Sequence, residues 1–225
     1  MAGIMQTEIG INNGHSICLS GLFILLSSYQ NIFLTISVKM VSLYNASIPM
    51  MIKYLGNLKV ILKKAETHCI AKNINPEEMI KFRLIEDMRS LDYQVQSVSN
   101  TAKFLATRLA LHEDTYFPDT ETTFPQLEAR VDATISILSE IDPPSLDGKE
   151  DAEVLMETKS LGTYRFTGYS YVIQYACPNF HFHLGSAYCI LRHLGVPLTA
   201  FDYLDTQRDL FVKVEASASS ASSAS

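Results

Sequence analysis

From residue 47 to residue 195 the apolar positions fall into stripes at helical spacing. Ile48, Ile52, Leu55, Leu58, Leu62, Ala65 and Cys69 recur every three or four residues, which places them on one face of a helix from about Ser47 to Ala71. Lys53, Asn57, Lys64 and Thr67 fall mostly away from that face. A short helical turn follows, with Asn75 as N-cap, Pro76 at the first helical position, and Glu77 and Glu78 at the positive end of the dipole. The stripe Leu91, Val95, Val98, Ala102, Leu105 and Leu109 predicts a second long helix after Ser90, fraying near His112. The residues from Glu113 to Glu121 form a polar loop. Thr123 then opens a third long helix, with Gln126 placed for a capping box and Phe124, Leu127, Val131, Ile135 and Leu138 as its stripe; Asp142, Pro143 and Pro144 stop it. The period changes to two at residues 153 to 166, where Val154 and Met156 precede Gly162 and Tyr164 and Phe166 follow it, which reads as a small hairpin. The last helix starts near Gly168 and ends at Gly195, with Pro197 beyond.

Long helices with one apolar stripe each must bury those stripes against one another. The expected fold is therefore all-α: a four-helix bundle over residues 40–212 with a small β-hairpin before the last helix. The ends differ from this middle. Residues 213–225 end in the Ser/Ala run EASASSASSAS, which has no large apolar group to offset its ordering entropy and reads as a disordered tail. Residues 1–39 form an atypical apolar extension. Within it, residues 17–38 carry no charge and are long enough to cross a bilayer, but Ser, Tyr, Gln and Asn interrupt them and no Lys or Arg precedes them. Three readings stand: a membrane anchor, an extra amphipathic or buried segment, or sequence upstream of a true start at Met40. The third is preferred.

Charge and cysteine usage narrow the partners. The net charge is -6, the pI about 5.5, and there is no concentrated basic surface, which argues against nucleic acid. Cys18, Cys69, Cys177 and Cys189 form no CxxC pair, so zinc-knuckle and thioredoxin-type readings fail; reduced thiols buried as small hydrophobes in a cytosolic protein are the preferred reading, with a disulfide pair as the alternative. No Walker loop, GxGxxG or HExxH is present.

Four segments together carry a family resemblance: MVSLYNASIPMMIKYLGNLKVILKKAETH, RLIEDMRSLDYQVQSVSNTAKFLATRLA, ETTFPQLEARVDATISIL and FTGYSYVIQYACPNFHFHLGSAYCILRHLGVPL. They resemble an uncharacterised bacterial and fungal family, domain of unknown function nineteen-ninety-three, within the DinB-like superfamily, in order from about Met40 to Tyr203. The resemblance implies a DinB-type four-helix bundle and no assigned reaction. It also implies a homodimer through helix faces. More distant DinB-like proteins are metal-dependent thiol transferases with one histidine on the second helix and a His-x-x-x-His pair on the last. Here Ala187 and Asn179 stand four residues either side of His183, and the second helix has no histidine before His112, so that site is missing in its usual form. A divalent metal is implied by this distant resemblance alone.

Helix geometry separates the remaining histidines. At about 100° per residue, His181 and His183 point to nearly opposite sides unless Pro178 distorts the helix. His183 shares a stripe with Ala176, Asn179, Ala187 and Ile190 and should face inward, with Asp87, Gln94 or Asn100 as candidate partners. His181 aligns with Tyr188 and Arg192 on a more exposed face. Two readings of His183 follow: a core imidazole with a buried partner, or a metal ligand or general base assisted by Asp87 or Asn179. His193, near a helix C-terminus, is the weaker metal candidate, since a cation there simply complements the dipole. Tyr171, Tyr175 and Tyr188 are candidates to line a pocket, and the candidate pocket set is Asp87, Asn179, His183 and Tyr188. The functional expectation is a cytoplasmic bundle that binds a small molecule or divalent metal between its helices, its reaction unassigned. The alternative is a non-catalytic dimerising module, with a membrane-anchored form if residues 17–38 insert.

Overall fold

The computed structural model describes residues 41–158 and 162–214. Residues 1–40, 159–161 and 215–225, and with them the readings of residues 1–39 and of the Ser/Ala run, lie outside the described residues. Among the described residues no helix is long and apolar enough to cross a membrane.

Helix α1 spans Leu43–Lys72. It starts a turn earlier than expected because the Ser42 side chain accepts the Asn45 N–H and caps it there. It ends at Asn73, whose left-handed φ of 53° lets its N–H return to the carbonyls of Cys69 and Ile70. The short α2, Pro76–Lys81, is capped by the Asn75 side chain as expected. Helix α3 covers Leu91–Leu109 and α4 covers Phe124–Ser139. The Thr123–Gln126 capping box is formed in both directions. A 3-10 turn, Pro143–Leu146, leads to β1, Glu153–Thr158, and β2, Gly162–Thr167. These pair antiparallel as the expected hairpin, with Val154 opposite Phe166 and Met156 opposite Tyr164, which puts the four alternating residues on one face.

The last helix is continuous from Gly168 but has two parts. A π-helical stretch, Ser170–Ala176, leads into the regular α5, Cys177–His193. The distortion has a cause in the sequence. Pro178 has no N–H to donate and its ring crowds the carbonyl of the preceding turn. Widening that turn to i→i+5 bonding, with the Cys177 N–H reaching Val172, makes room for it. Beyond Pro178 the helix is regular to Leu194, and Gly195 follows at φ +85°. A final short α6, Ala200–Leu204, lies on α1.

Gly168 joins the hairpin to the last helix through a close approach. Its N–H donates to the Ala152 carbonyl at 2.8 Å, and a β-carbon there would lie 1.9 Å from the Lys149 carbonyl oxygen. Space, not φ, requires glycine at this position.

The bundle buries the expected stripes, with Leu55, Leu58, Val95, Leu105, Leu127, Val131, Leu184 and Ile190 fully inaccessible. Burial of each such side chain contributes about 2 kcal/mol. Two departures from the stripe pattern matter. Asn57, assigned to the wet side of α1, is buried: its amide donates to the Tyr203 carbonyl and accepts from Thr206, anchoring the chain after α6. Helix α3 is buried nearly all round, because α4 and α5 flank it and the segment before α4 covers the rest.

That covering segment, residues 110–123, is a strap and not a free polar loop. Arg130 of α4, 4% exposed, reaches Glu121 at 2.8 Å and Asp119 at 2.6 Å, and also donates to Asn100 of α3. Lys103 of α3 binds Asp114 and the Thr115 carbonyl. Phe117 lies between the two cations, 4.7 Å from Arg130 and 5.5 Å from Lys103. Replacing Arg130 with alanine leaves two carboxylates and an amide without their common donor. The variant is expected to lose roughly 3 kcal/mol of unfolding free energy in urea; a loss under about 1 kcal/mol would mean that the strap is a surface decoration.

Candidate functional site

The face of α3 opposite its apolar stripe carries Tyr93, Ser97, Thr101, Phe104 and Arg108 at steps of four, four, three and four. The last helix offers Tyr171, Tyr175, Asn179 and His183 at steps of four. The two rows run antiparallel and enclose a cleft of about 530 Å³, completed by Gln96, Asn100 and the strap residue Asp119. Its walls are largely hydroxyl, amide and aromatic groups.

Three contacts fix its chemistry. At one end, His183 Nδ1 lies 2.8 Å from Gln94 Oε1. The Gln94 amide nitrogen donates to the Arg89 carbonyl at 2.9 Å, which leaves Oε1 facing the ring as an acceptor. Nδ1 therefore carries the proton and Nε2 the lone pair. Burial pushes the His183 pKa below its ordinary value, so the ring is neutral at pH 7. In the middle, Asn179 donates to the Thr101 hydroxyl at 2.8 Å, and Thr101 donates on to the Ser97 carbonyl at 2.7 Å. At the far end, Arg108 donates to the Tyr171 hydroxyl at 2.9 Å and lies over the Phe104 ring at 4.5 Å. Burial raises the Tyr171 pKa, with Arg108 opposing, so the phenol remains protonated.

The expected site residues divide between places. Asn179 and His183 line the cleft, as do Tyr171 and Tyr175. Asp87 does not: it is exposed on the loop between α2 and α3, and Gln94, one turn inside α3, takes the position beside His183. Nor does Tyr188, five residues round the helix from His183, whose ring packs edge-on against Tyr203 at 5.7 Å. His181 also turns to that side, its Nδ1 3.1 Å from the Tyr203 hydroxyl and its ring edge-on to Tyr54. Burial lowers its pKa too. Pro178 does not bring His181 and His183 together, because the distortion lies before it and the histidines follow on regular helix. His193 is exposed and stacked on Phe82.

Sequence reasoning missed Arg108, Tyr93, Thr101 and the strap's Asp119. The signal for the first three was present as a second stripe on α3, polar and aromatic, at the same helical period as the apolar one. Asp119 carries no local signal, since its place depends on a buried arginine in the next helix.

The donor set is poor for a metal. Among the described residues His183 is the one imidazole lining the cleft, and its neighbours Gln94, Asn179 and Thr101 are neutral oxygen and amide groups. Transition ions favour several imidazole, thiolate or carboxylate ligands together. Among the described residues no three His, Cys, Asp or Glu side chains converge to hold an ion. These residues do not fit the three-histidine centre of distant DinB-like proteins.

A four-helix bundle with a hairpin before its last long helix is the DinB-type architecture, and a solved structure bears the assignment out. The chain is similar to a DinB family member protein from Shewanella denitrificans at 30% identity, covering 77% of this chain and 96% of that one, with a TM-score of 0.68. It is also similar to a DinB-like protein from Bacillus subtilis at 14% identity, over 67% and 95% of the two chains, with a TM-score of 0.47. No curated protein matches. The profile of the domain of unknown function DUF1993 matches residues 43–204, and the chain belongs to that family.

The neutral histidine gives a pH test. His183 is expected to titrate below its ordinary value of 6.5, read from its imidazole nitrogen shifts by NMR. Because the folded state disfavours the imidazolium, this residue costs stability as pH falls below the unfolded value. Gln94→Glu places a carboxylate beside Nδ1 and should move the titration upward by one unit or more, on the order expected of an adjacent opposite charge. A wild-type histidine titrating above the free value would contradict the burial of its ring as the controlling effect.

Proposed function

We propose that this DinB-type bundle binds a small polar molecule in the cleft between α3 and the last helix. One observation supports the reading above others. The cleft gathers half-buried polar groups whose second hydrogen-bonding capacity is unused among the described residues, namely His183 Nε2 and the Asn179 carbonyl. Such acceptors at a partly enclosed cleft are met by water when no ligand is bound, and a ligand with N–H or O–H donors can displace that water and take its place. Neutral His183, held in one tautomer by Gln94, suits the role of acceptor or general base, with Asn179 orienting the ligand. The donor set favours an organic ligand over a divalent metal. A cytoplasmic setting accords with Cys69, Cys177 and Cys189 standing as free thiols.

The test is a fragment screen by NMR on the full chain. Hits should perturb Thr101, Asn179 and His183, and Ser97→Phe, which plugs the cleft with a ring, should abolish them while the protein still unfolds cooperatively. Hits that survive the plug, or a screen in which nothing perturbs the cleft, would overturn the proposal.

A second reading, self-association, has one observation in its favour. Phe182 is 61% exposed and Tyr93 42% exposed, and both flank the His183 ring. If this rim is an interface, light scattering gives a dimer at micromolar concentration and Phe182→Ser returns a monomer. A monomeric wild-type chain would dismiss this reading.

A further inference from the structure

The two ends of the cleft differ in what they can receive. The His183 end offers acceptors. The Arg108 end offers donors, and it does so with a cation that no carboxylate neutralises. Arg108 is half-buried, yet among the described residues it makes no ion pair; its hydrogen bond goes to a neutral phenol and its flat face to Phe104. The contrast with neighbouring cations is direct. Lys103 and Arg130, also beside the strap, are matched by Asp114, and by Asp119 and Glu121. Asp119, among the described residues the one carboxylate lining the cleft, is committed to Arg130 at 2.6 Å and lies against Asn100, about two helical turns from Arg108.

Tyr171 provides a second, independent observation. Its side chain is fully buried and its hydroxyl accepts from Arg108. The hydroxyl's own proton has no acceptor among the described residues, although buried hydroxyls ordinarily use it. A guanidinium without a counter-charge and a phenol whose own proton has no acceptor among the described residues thus meet at the same end of the cleft.

We propose that the Arg108 end binds the anionic group of the ligand, a carboxylate or a phosphate, with Arg108 and Tyr171 as its two donors and the rings of Phe104 and Tyr175 against the ligand's body. This rests on the cleft being a small-molecule site and adds the polarity of its occupant: anion at Arg108, hydrogen-bond donors toward Asn179 and His183. Charge-assisted bonds in a partly desolvated cleft are the stronger kind, so loss of the guanidinium should weaken binding by roughly tenfold or more.

The experiment compares three probes of similar shape: benzoate, phenyl phosphate and uncharged benzamide, titrated into the full chain at low ionic strength. Binding is read from the Arg108 Nε–H and the tyrosine ring resonances. Benzoate or phenyl phosphate, or both, should saturate with shifts at Arg108, Tyr171 and Tyr175, while benzamide binds at least tenfold more weakly; which anion is tighter separates the carboxylate from the phosphate source. Arg108→Gln should abolish the preference for the anion, Arg108→Lys should retain part of it, and Tyr171→Phe should weaken both anions with the ring packing preserved. Benzamide binding the cleft as tightly as benzoate, or an anion preference that survives Arg108→Gln, overturns the assignment of the anion and leaves the cleft reading intact. No probe perturbing any cleft residue at millimolar concentration, together with a failed fragment screen, overturns both.

Discussion

A single buried guanidinium organises much of this bundle. Arg130 sits on α4 with almost no exposure, and a charge so placed is tolerable only if counter-charges meet it; its terminal nitrogens are met, while its Nε has no partner among the described residues. The residues that meet it, Glu121 and Asp119, come from the segment just before its own helix, and Asn100 comes from α3. Satisfying one arginine therefore folds the 110–123 strap across α3 and seats α3 beside α4. It also places Asp119 at the edge of the cleft. The polar wall of the site follows from the electrostatics of the core behind it.

The last helix solves a different problem. It must pass a proline without losing its course and still present a row of side chains to α3. The π-helical turn absorbs Pro178 before the histidines begin, so the two parts of the row are built differently. Tyr171 and Tyr175 project from the widened turns, and Asn179 and His183 from regular helix. The donor end and the acceptor end of the cleft correspond to these two parts.

Most of the fold was legible in the sequence because each element announces itself locally. Thr123 with Gln126, Asn75 with Pro76, and the alternation around Gly162 are each sufficient within a few residues. The inward turn of His183 was also legible, since helical phase alone separates it from His181. What escaped was whatever depends on partners distant in the chain. Asn57 looks like a wet-side residue until the segment after α6 covers it. Asp87, Gln94 and Asn100 all stand near the start of α3 as candidate partners for His183, and only the packing of the last helix on α3 selects Gln94. The second row of α3, polar and aromatic, has the helical period too, but only the packing of the last helix against it makes that row a wall of the cleft.

Gly168 carries a consequence of its own. The carbonyl of Lys149 occupies the place where any other residue's β-carbon would stand, so every substitution there begins with the same steric debt, alanine included. Relief requires separating the hairpin's base from the start of the last helix, and that start carries Tyr171. The position is thus a single-residue constraint on evolutionary drift, and it couples the inheritance of a peripheral hairpin to the inheritance of the cleft.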